Sequence, residues 1–209
     1  MNFEEKYVKK TYEIISDSWK NLRRSFWFIK RFAKEIKNKK ILDAGCGDCS
    51  QLIEFKENFL FGIDFSKRMI SEARKKCKSA KLIIGDIRFL PFKDKSFDIV
   101  LCIATLHHVK ERKERIKVLK ELKRVCKEKI IISVLKRFSS LTFFKLIFSL
   151  FDFRLRFGDI FLKWNYKGKK LKRYYHTYSL NELKKDVEIA GLRVEKILED
   201  KYNFILVLS

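Results

Sequence analysis

Three acids and two glycines, spaced along the first half of the chain, offer its clearest chemistry. Lys40-Ile41-Leu42-Asp43-Ala44-Gly45-Cys46-Gly47-Asp48-Cys49-Ser50 is a short β-prone run that carries an acid and then breaks on Gly45 and Gly47. Glycine has no Cβ, so the backbone can turn tightly there and a ligand can approach the main chain. Asp64 follows Asp43 by 21 positions, at the end of Phe61-Gly62-Ile63-Asp64. That spacing suits a carboxylate that receives a ribose diol at the tip of a second strand. A third acid, Asp86 in Gly85-Asp86-Ile87, can accept from an adenine amino group while Phe65 and Ile87 cover the ring faces. Each element has a plainer reading: the glycines as a turn, Asp86 as a helix cap. Together they favour a site for a nucleoside cofactor.

A fourth β-prone run ends in Ile103-Ala104-Thr105-Leu106-His107-His108, the place where reacting groups lie in an open α/β sheet. His107 is read as a contact to cofactor or substrate, with a buried structural role left open for His108. Adjacent histidines point in different directions, and no acid or thiol stands at ligand spacing, so no metal is expected. Cys46 and Cys49 form a C-x-x-C pair, but it sits inside the glycine loop without a second ligand pair, which disfavours redox or metal work.

These residues need a sheet to hold them, and the chain supplies one. Helix is expected over residues 3–37, where Tyr12, Ile15, Trp19, Leu22, Phe26, Ile29 and Phe32 recur at three and four. Strands are expected at Ile41–Ala44, Leu60–Ile63, Lys81–Ile84, Asp98–Ile103 and Lys129–Leu135. Helices fall over Ser66–Cys77 and Glu114–Cys126, and Gln51–Phe55 has a plausible helical start. Leu192–Glu199 and Tyr202–Leu208 read as a closing hairpin. Strands and helices alternating at this pace predict an α/β fold with a Rossmann-like, mostly parallel sheet covered on both faces. One domain is expected over residues 1–209, with a helical segment at 1–37 and an inserted cap at 138–175.

Composition narrows the partners. Apolar content of 46% with 20 Phe excludes a disordered chain, and 49 Lys and Arg against 26 Asp and Glu give +23. Such a field favours RNA, DNA or anionic lipid over a neutral metabolite, unless the lysines are merely spread over a solvated surface. The odd, scattered cysteines and the polar start of the chain predict reduced thiols and a cytoplasmic location. The apolar tract from Leu141 to Phe153 is broken by Lys145 and Asp152 and is too short to span a bilayer. A lid packed on the sheet edge is expected there, and no membrane partner.

Leu42-Asp43-Ala44-Gly45-Cys46-Gly47, Gly62-Ile63-Asp64-Phe65-Ser66, Gly85-Asp86 with Leu90-Pro91-Phe92, and Phe97-Asp98 together resemble the successive motifs of class I S-adenosylmethionine-dependent methyltransferases. Cys102 to His108 with Arg112 and Arg115, Trp164 to Lys169, and Arg173-Tyr174-Tyr175-His176-Thr177-Tyr178 are similar to blocks of the tRNA wobble-uridine methyltransferases that esterify 5-carboxymethyluridine. The resemblance implies that family's seven-stranded sheet and the cofactor S-adenosylmethionine. It places Gly45, Cys46 and Gly47 at the methionine moiety, Asp64 on the ribose and Asp86 at adenine, with Asp43, Phe65, Ile87 and Ile103 completing the set. Arg23 would meet the cofactor carboxylate. His107, Arg112, Arg173, Tyr174 and His176 would position a carboxylate acceptor on tRNA. It further implies a small zinc-binding activator protein pairing with the edge strand Leu82-Ile83-Ile84. The alternatives are a small-molecule methyltransferase and a non-catalytic RNA-binding scaffold. The sequence departs from the family at Cys49, where glycine is usual.

Overall fold

The computed structural model describes residues 3–19, 26–149 and 151–209. β1 (Lys40–Ala44), β2 (Phe59–Asp64), β3 (Lys81–Ile84), β4 (Phe97–Ile103) and β5 (Cys126–Leu135) run parallel, and β8 (Val194–Glu199) with β9 (Asn203–Leu208) closes the sheet antiparallel. The strand order is β3-β2-β1-β4-β5-β9-β8. The progression reverses between β1 and β4, and an open α/β sheet binds ligands in the crevice at such a switch point. This is the expected α/β fold, hairpin included.

Both faces of the sheet are covered. On one side, α4 (Arg112–Val125) buries Val118, Leu119 and Leu122, and α6 (Leu180–Ile189) buries Leu183 and Val187, against Leu42, Val100 and Ile132. On the other, α2 (Trp27–Glu35) and α3 (Lys67–Lys76) bury Phe28, Ile29, Ile70 and Ala73 against Ile41, Leu101 and Ile131. Neighbouring residues of one strand serve opposite cores, as the two-residue period of a strand requires. Ser66 caps α3 by accepting from the Met69 N–H at 3.2 Å.

Three expectations change. The N-terminal segment is not one helix: a π-helical turn over Glu5–Lys9 leads into α1 (Lys10–Trp19), and Phe26 is extended before α2 begins. The expected helix after the glycine loop is a single 3-10 turn, Leu52–Glu54, because the chain must enter β2 at Phe59. The cap contains a hairpin that was not anticipated, β6 (Asp159–Tyr166) and β7 (Lys169–His176), beside α5 (Phe143–Ser149). Lys167 and Gly168 have φ of 47° and 73°, the consecutive left-handed pair of a tight hairpin turn. The expected lid packs on the end of β5 and on this hairpin, through Leu135, Ile160 and Leu162. Leu146 of α5 is buried, while Phe143, Phe144 and Ile147 are exposed. Among the described residues, no helix is long and apolar enough to cross a membrane.

A buried polar network fastens this cap to the body. The Asp159 carboxylate accepts from the Tyr174 hydroxyl at 2.7 Å and faces His176 Nδ1 at 2.8 Å. His176 Nε2 meets Glu182 at 2.7 Å, and Glu182 also pairs with Arg137 and, at 3.5 Å, with Arg115. Burial pushes the Glu182 carboxyl up, but the hydrogen bond and charge of His176, with Arg137, outweigh it and hold it at about 2. Its contribution to stability is therefore present above about pH 4 and lost as pH falls through about 2. Replacing Glu182 with Leu strands two buried guanidinium groups, which should cost about 3 kcal/mol in urea unfolding at pH 7.

Candidate active site

A cavity of about 1250 Å³ lies where the carboxyl ends of β1, β2 and β4 meet the N-terminal helical segment and the cap. Its first half is built on the glycine turn. Gly45 has φ +86°, and a Cβ there would lie 2.2 Å from Thr105 Cγ2, so the close approach of β4 requires glycine. Gly47 has φ +51°, and an added Cβ would meet nothing within 4 Å; the empty space is the cavity that Gly47 lines. Its N–H donates to Asp64 Oδ2 at 3.0 Å, while the Ser66 N–H donates to Oδ1 at 2.9 Å. Cys49 holds φ +63°, the left-handed region where the resembled family usually has glycine.

Acidic side chains concentrate here. Asp43 is buried, and its Oδ1 has no hydrogen-bond partner among the described residues. Burial, and then the neighbouring charges of Asp64 and Asp48, push its carboxyl up to about 8. Burial raises Asp64 to about 6 against the pull of its two backbone donors. Asp86 is desolvated as well, but hydrogen bonds from Arg88, whose Nη2 lies 2.6 Å away, leave it below the ordinary range. A buried carboxylate with an empty lone pair, beside a glycine turn open to the cavity, fits a ligand that brings positive charge and hydrogen-bond donors. Phe65, Ile87, Ile103 and Cys46 line the same half.

The other half is cationic and aromatic. Arg173 is 4% exposed and lines the cavity. Its guanidinium lies 4.6 Å from the Trp164 ring and 5.4 Å from the Tyr175 ring and hydrogen-bonds Tyr12. Lys172, next to it in sequence, and Lys163, paired with Lys172 across the hairpin, also line the cavity. His107 Nδ1 accepts the Leu135 N–H at 3.1 Å, so the ring proton sits on Nε2, a buried donor with no hydrogen-bond partner among the described residues. His108 donates from Nδ1 to the Tyr174 carbonyl at 2.9 Å, and its Nε2 accepts from the Tyr12 hydroxyl at 2.8 Å. Burial, the His108 ring and the Arg173 charge hold His107 well below its ordinary value, and burial takes His108 to about 3. Both rings are neutral at pH 7. His108 has the structural role left open for it.

Arg112, Tyr174 and His176 do not line the cavity. Arg112 is half exposed and pairs with Asp186 at 2.7 Å, joining α4 to α6. Tyr174 and His176 are consumed by Asp159 and Glu182. The reason is strand geometry: Arg173 and Tyr175 face one side of β7, and Tyr174 and His176 the other. Arg23 lies outside the described residues. Tyr12 and Thr105 join the site without having been assigned to it, and Trp164 and Tyr175 line it beside Arg173; the alternation of β7 is the signal that sets Tyr175 on the side of Arg173.

A family model described as a methyltransferase domain matches residues 42–133. A provisionally named methyltransferase of Encephalitozoon cuniculi is 32% identical over 200 residues, covering 92% of this chain and 90% of that protein. The tRNA (carboxymethyluridine(34)-5-O)-methyltransferase of Saccharomyces cerevisiae is 31% identical over 121 residues, 57% of this chain but only 43% of the yeast enzyme. Among solved structures, an S-adenosylmethionine-dependent methyltransferase of Methanosarcina mazei superposes with a TM-score of 0.77 at 20% identity over 88% of this chain and 97% of that one, a likeness of fold alone.

The Asp43 shift has a consequence for the ligand-free protein. Its folded value of about 8 stands above the unfolded value of about 3.9. The stabilisation is full below about pH 4 and is lost as pH rises through about 8. Thermal unfolding of ligand-free protein should therefore fall between pH 5 and pH 8.5. Asp43→Asn should flatten that fall, leaving the part due to Asp64, which ends near pH 6.

Proposed function

The chain belongs to the class I S-adenosylmethionine-dependent methyltransferases, and from that premise we propose that it methylates the carboxylate of a carboxymethylated wobble uridine in tRNA. The observation that carries this reading is that neither cavity histidine has a nitrogen free to take a proton. His107 Nδ1 is occupied by Leu135, and both nitrogens of His108 are engaged. A hydroxyl or amine acceptor would have to lose a proton to a base. A carboxylate is already anionic at pH 7, and Arg173 with the Nε2–H of His107 are donors suited to it.

The residues of the first half fit the cofactor. The Gly45–Gly47 turn would take its methionine end, Asp64 the ribose hydroxyls, and Phe65 and Ile87 the adenine faces, with Asp86 sharing its carboxylate between Arg88 and the ring amine. S-adenosylmethionine supplies a methyl group made electrophilic by a sulfonium. The chain's own residues then orient and exclude water: Arg173 and His107 hold the acceptor oxygens, and Trp164 and Tyr175 fix the guanidinium plane. Rate comes from alignment. Similarity to the yeast tRNA enzyme and the +23 charge support tRNA as the carrier of the acceptor. The edge strand β3, with Ile84 exposed, suits pairing with a small zinc-binding activator, since an apolar edge invites cover.

Incubation with tRNA bearing carboxymethyluridine should yield its methyl ester, read by mass spectrometry of nucleosides. Transfer to a lipophilic or small-molecule acceptor and none to tRNA would defeat the proposal. Arg173→Lys should lower kcat/KM about a hundredfold, because an ammonium cannot reproduce the stacked, forked geometry. Cofactor affinity should rise with pH toward about 8, the value to which Asp43 is pushed. A cationic ligand favours the ionised carboxyl, so calorimetry in buffers of different ionisation enthalpy should show proton release near pH 7.

A further inference from the structure

Among the described residues, the segment from Phe138 to Phe157 leaves six phenyl rings in solvent: Phe138, Phe143, Phe144, Phe151, Phe153 and Phe157. Phe151 is 80% exposed and Phe153 fully so. Apolar surface of this extent is rarely left uncovered without a ligand. Three observations bear on what covers it. Six of the eight exposed large apolar residues described in the segment, Leu141 and Ile147 being the others, are flat rings. The acids near the rings are already neutralised: Asp152 takes a hydrogen bond from Arg154 Nε at 2.7 Å, and Glu111 meets Arg156 at 2.7 Å. The surface also runs into the cavity, where Leu141, Phe144 and Lys145 line one wall alongside Lys163 and Lys172.

We infer that this face is a stacking platform for the nucleotides flanking the acceptor in a single-stranded RNA loop. The inference rests on the proposed function for its reason. Arg173 and His107 are buried, so an acceptor base must leave its stack to reach them. Its neighbours then lose stacking partners, and the exposed phenyl faces replace them while Lys145, Lys163 and Lys172 meet the phosphates. A lipid surface would accept aliphatic and aromatic side chains alike; a base stack asks for flat rings.

The test uses a fluorescein-labelled anticodon stem-loop and the full chain, read by anisotropy. Neither Phe151 nor Phe153 lines the cavity, and both are exposed, so their substitution leaves folding and cofactor binding unchanged. F151A/F153A should weaken binding about tenfold or more, with the salt slope unaltered because no phosphate contact is lost. F151L/F153L should weaken it equally, and F151Y/F153Y should bind as wild type. Binding that survives Ala substitution, or that Leu restores, overturns the inference. So does sedimentation with phosphatidylserine vesicles, or self-association, that is lost in the Ala variant and kept in the Leu variant. Methyl transfer to tRNA, measured in parallel, separates the two readings. Transfer with ring-independent binding sinks the platform alone; ring-dependent binding without transfer to the wobble uridine sinks the proposed function alone.

Discussion

Two backbone amides converge on one carboxylate, and the site's first half follows from that. Asp64 accepts from Gly47 and Ser66, tying the turn after β1 to the start of α3. Each donor belongs to a segment that has to bend where it does: Gly47 in a left-handed turn, and Ser66 as the cap of a helix. The carboxylate is therefore placed before any ligand arrives, which is what a positioning site requires. It also stands near Asp43, and burial first of all, with the charges of Asp64 and Asp48 adding to it at Asp43, keeps these two acids from ionising readily. A sulfonium with an ammonium relieves that frustration, so the same crowding that destabilises the empty turn favours a cationic occupant.

The second half is held from behind. A chain of hydrogen bonds runs from Tyr12 in α1 through His108 to the Tyr174 backbone, and the Tyr174 hydroxyl continues it through Asp159 and His176 to Glu182 in α6. Tyr174 and His176 do not line the cavity, yet they fix the strand that carries Arg173 and Tyr175 into it. An acidic pole and a cationic pole thus face one enclosed space, each secured by its own network. In a chain of +23, the acidic pole is the exception that needs building; the cationic pole needs only selection of which cations point inward.

Much of this was legible in the sequence because the physics was local. The glycine turn and the acids at three strand tips depend on residues a few positions apart, and the strands beneath them were found within about two residues. What was not legible depends on long-range packing. Arg173, Tyr174 and His176 could be read as one set only while the hairpin went unseen; once β7 exists, its two-residue period divides them. Arg112 was drawn to Asp186 by the packing of α4 on α6, which no spacing within α4 reveals. The exposure of Phe151 and Phe153 contradicts hydropathy itself, as surfaces meant for another molecule do.

For a carboxylate acceptor, this arrangement also answers a problem of differential binding. The acceptor's negative charge fades as the ester forms, so a bare cation would stabilise the starting state more than the transition state. Arg173 is not bare: its guanidinium lies against the Trp164 and Tyr175 rings and bonds Tyr12, contacts that persist whatever charge the acceptor carries. His107 contributes an N–H from a ring that burial keeps neutral, an orienting donor without an ion's attraction. Holding the acceptor by direction more than by charge keeps it reactive, and lets a neutral ester leave a pocket whose cation already has partners of its own.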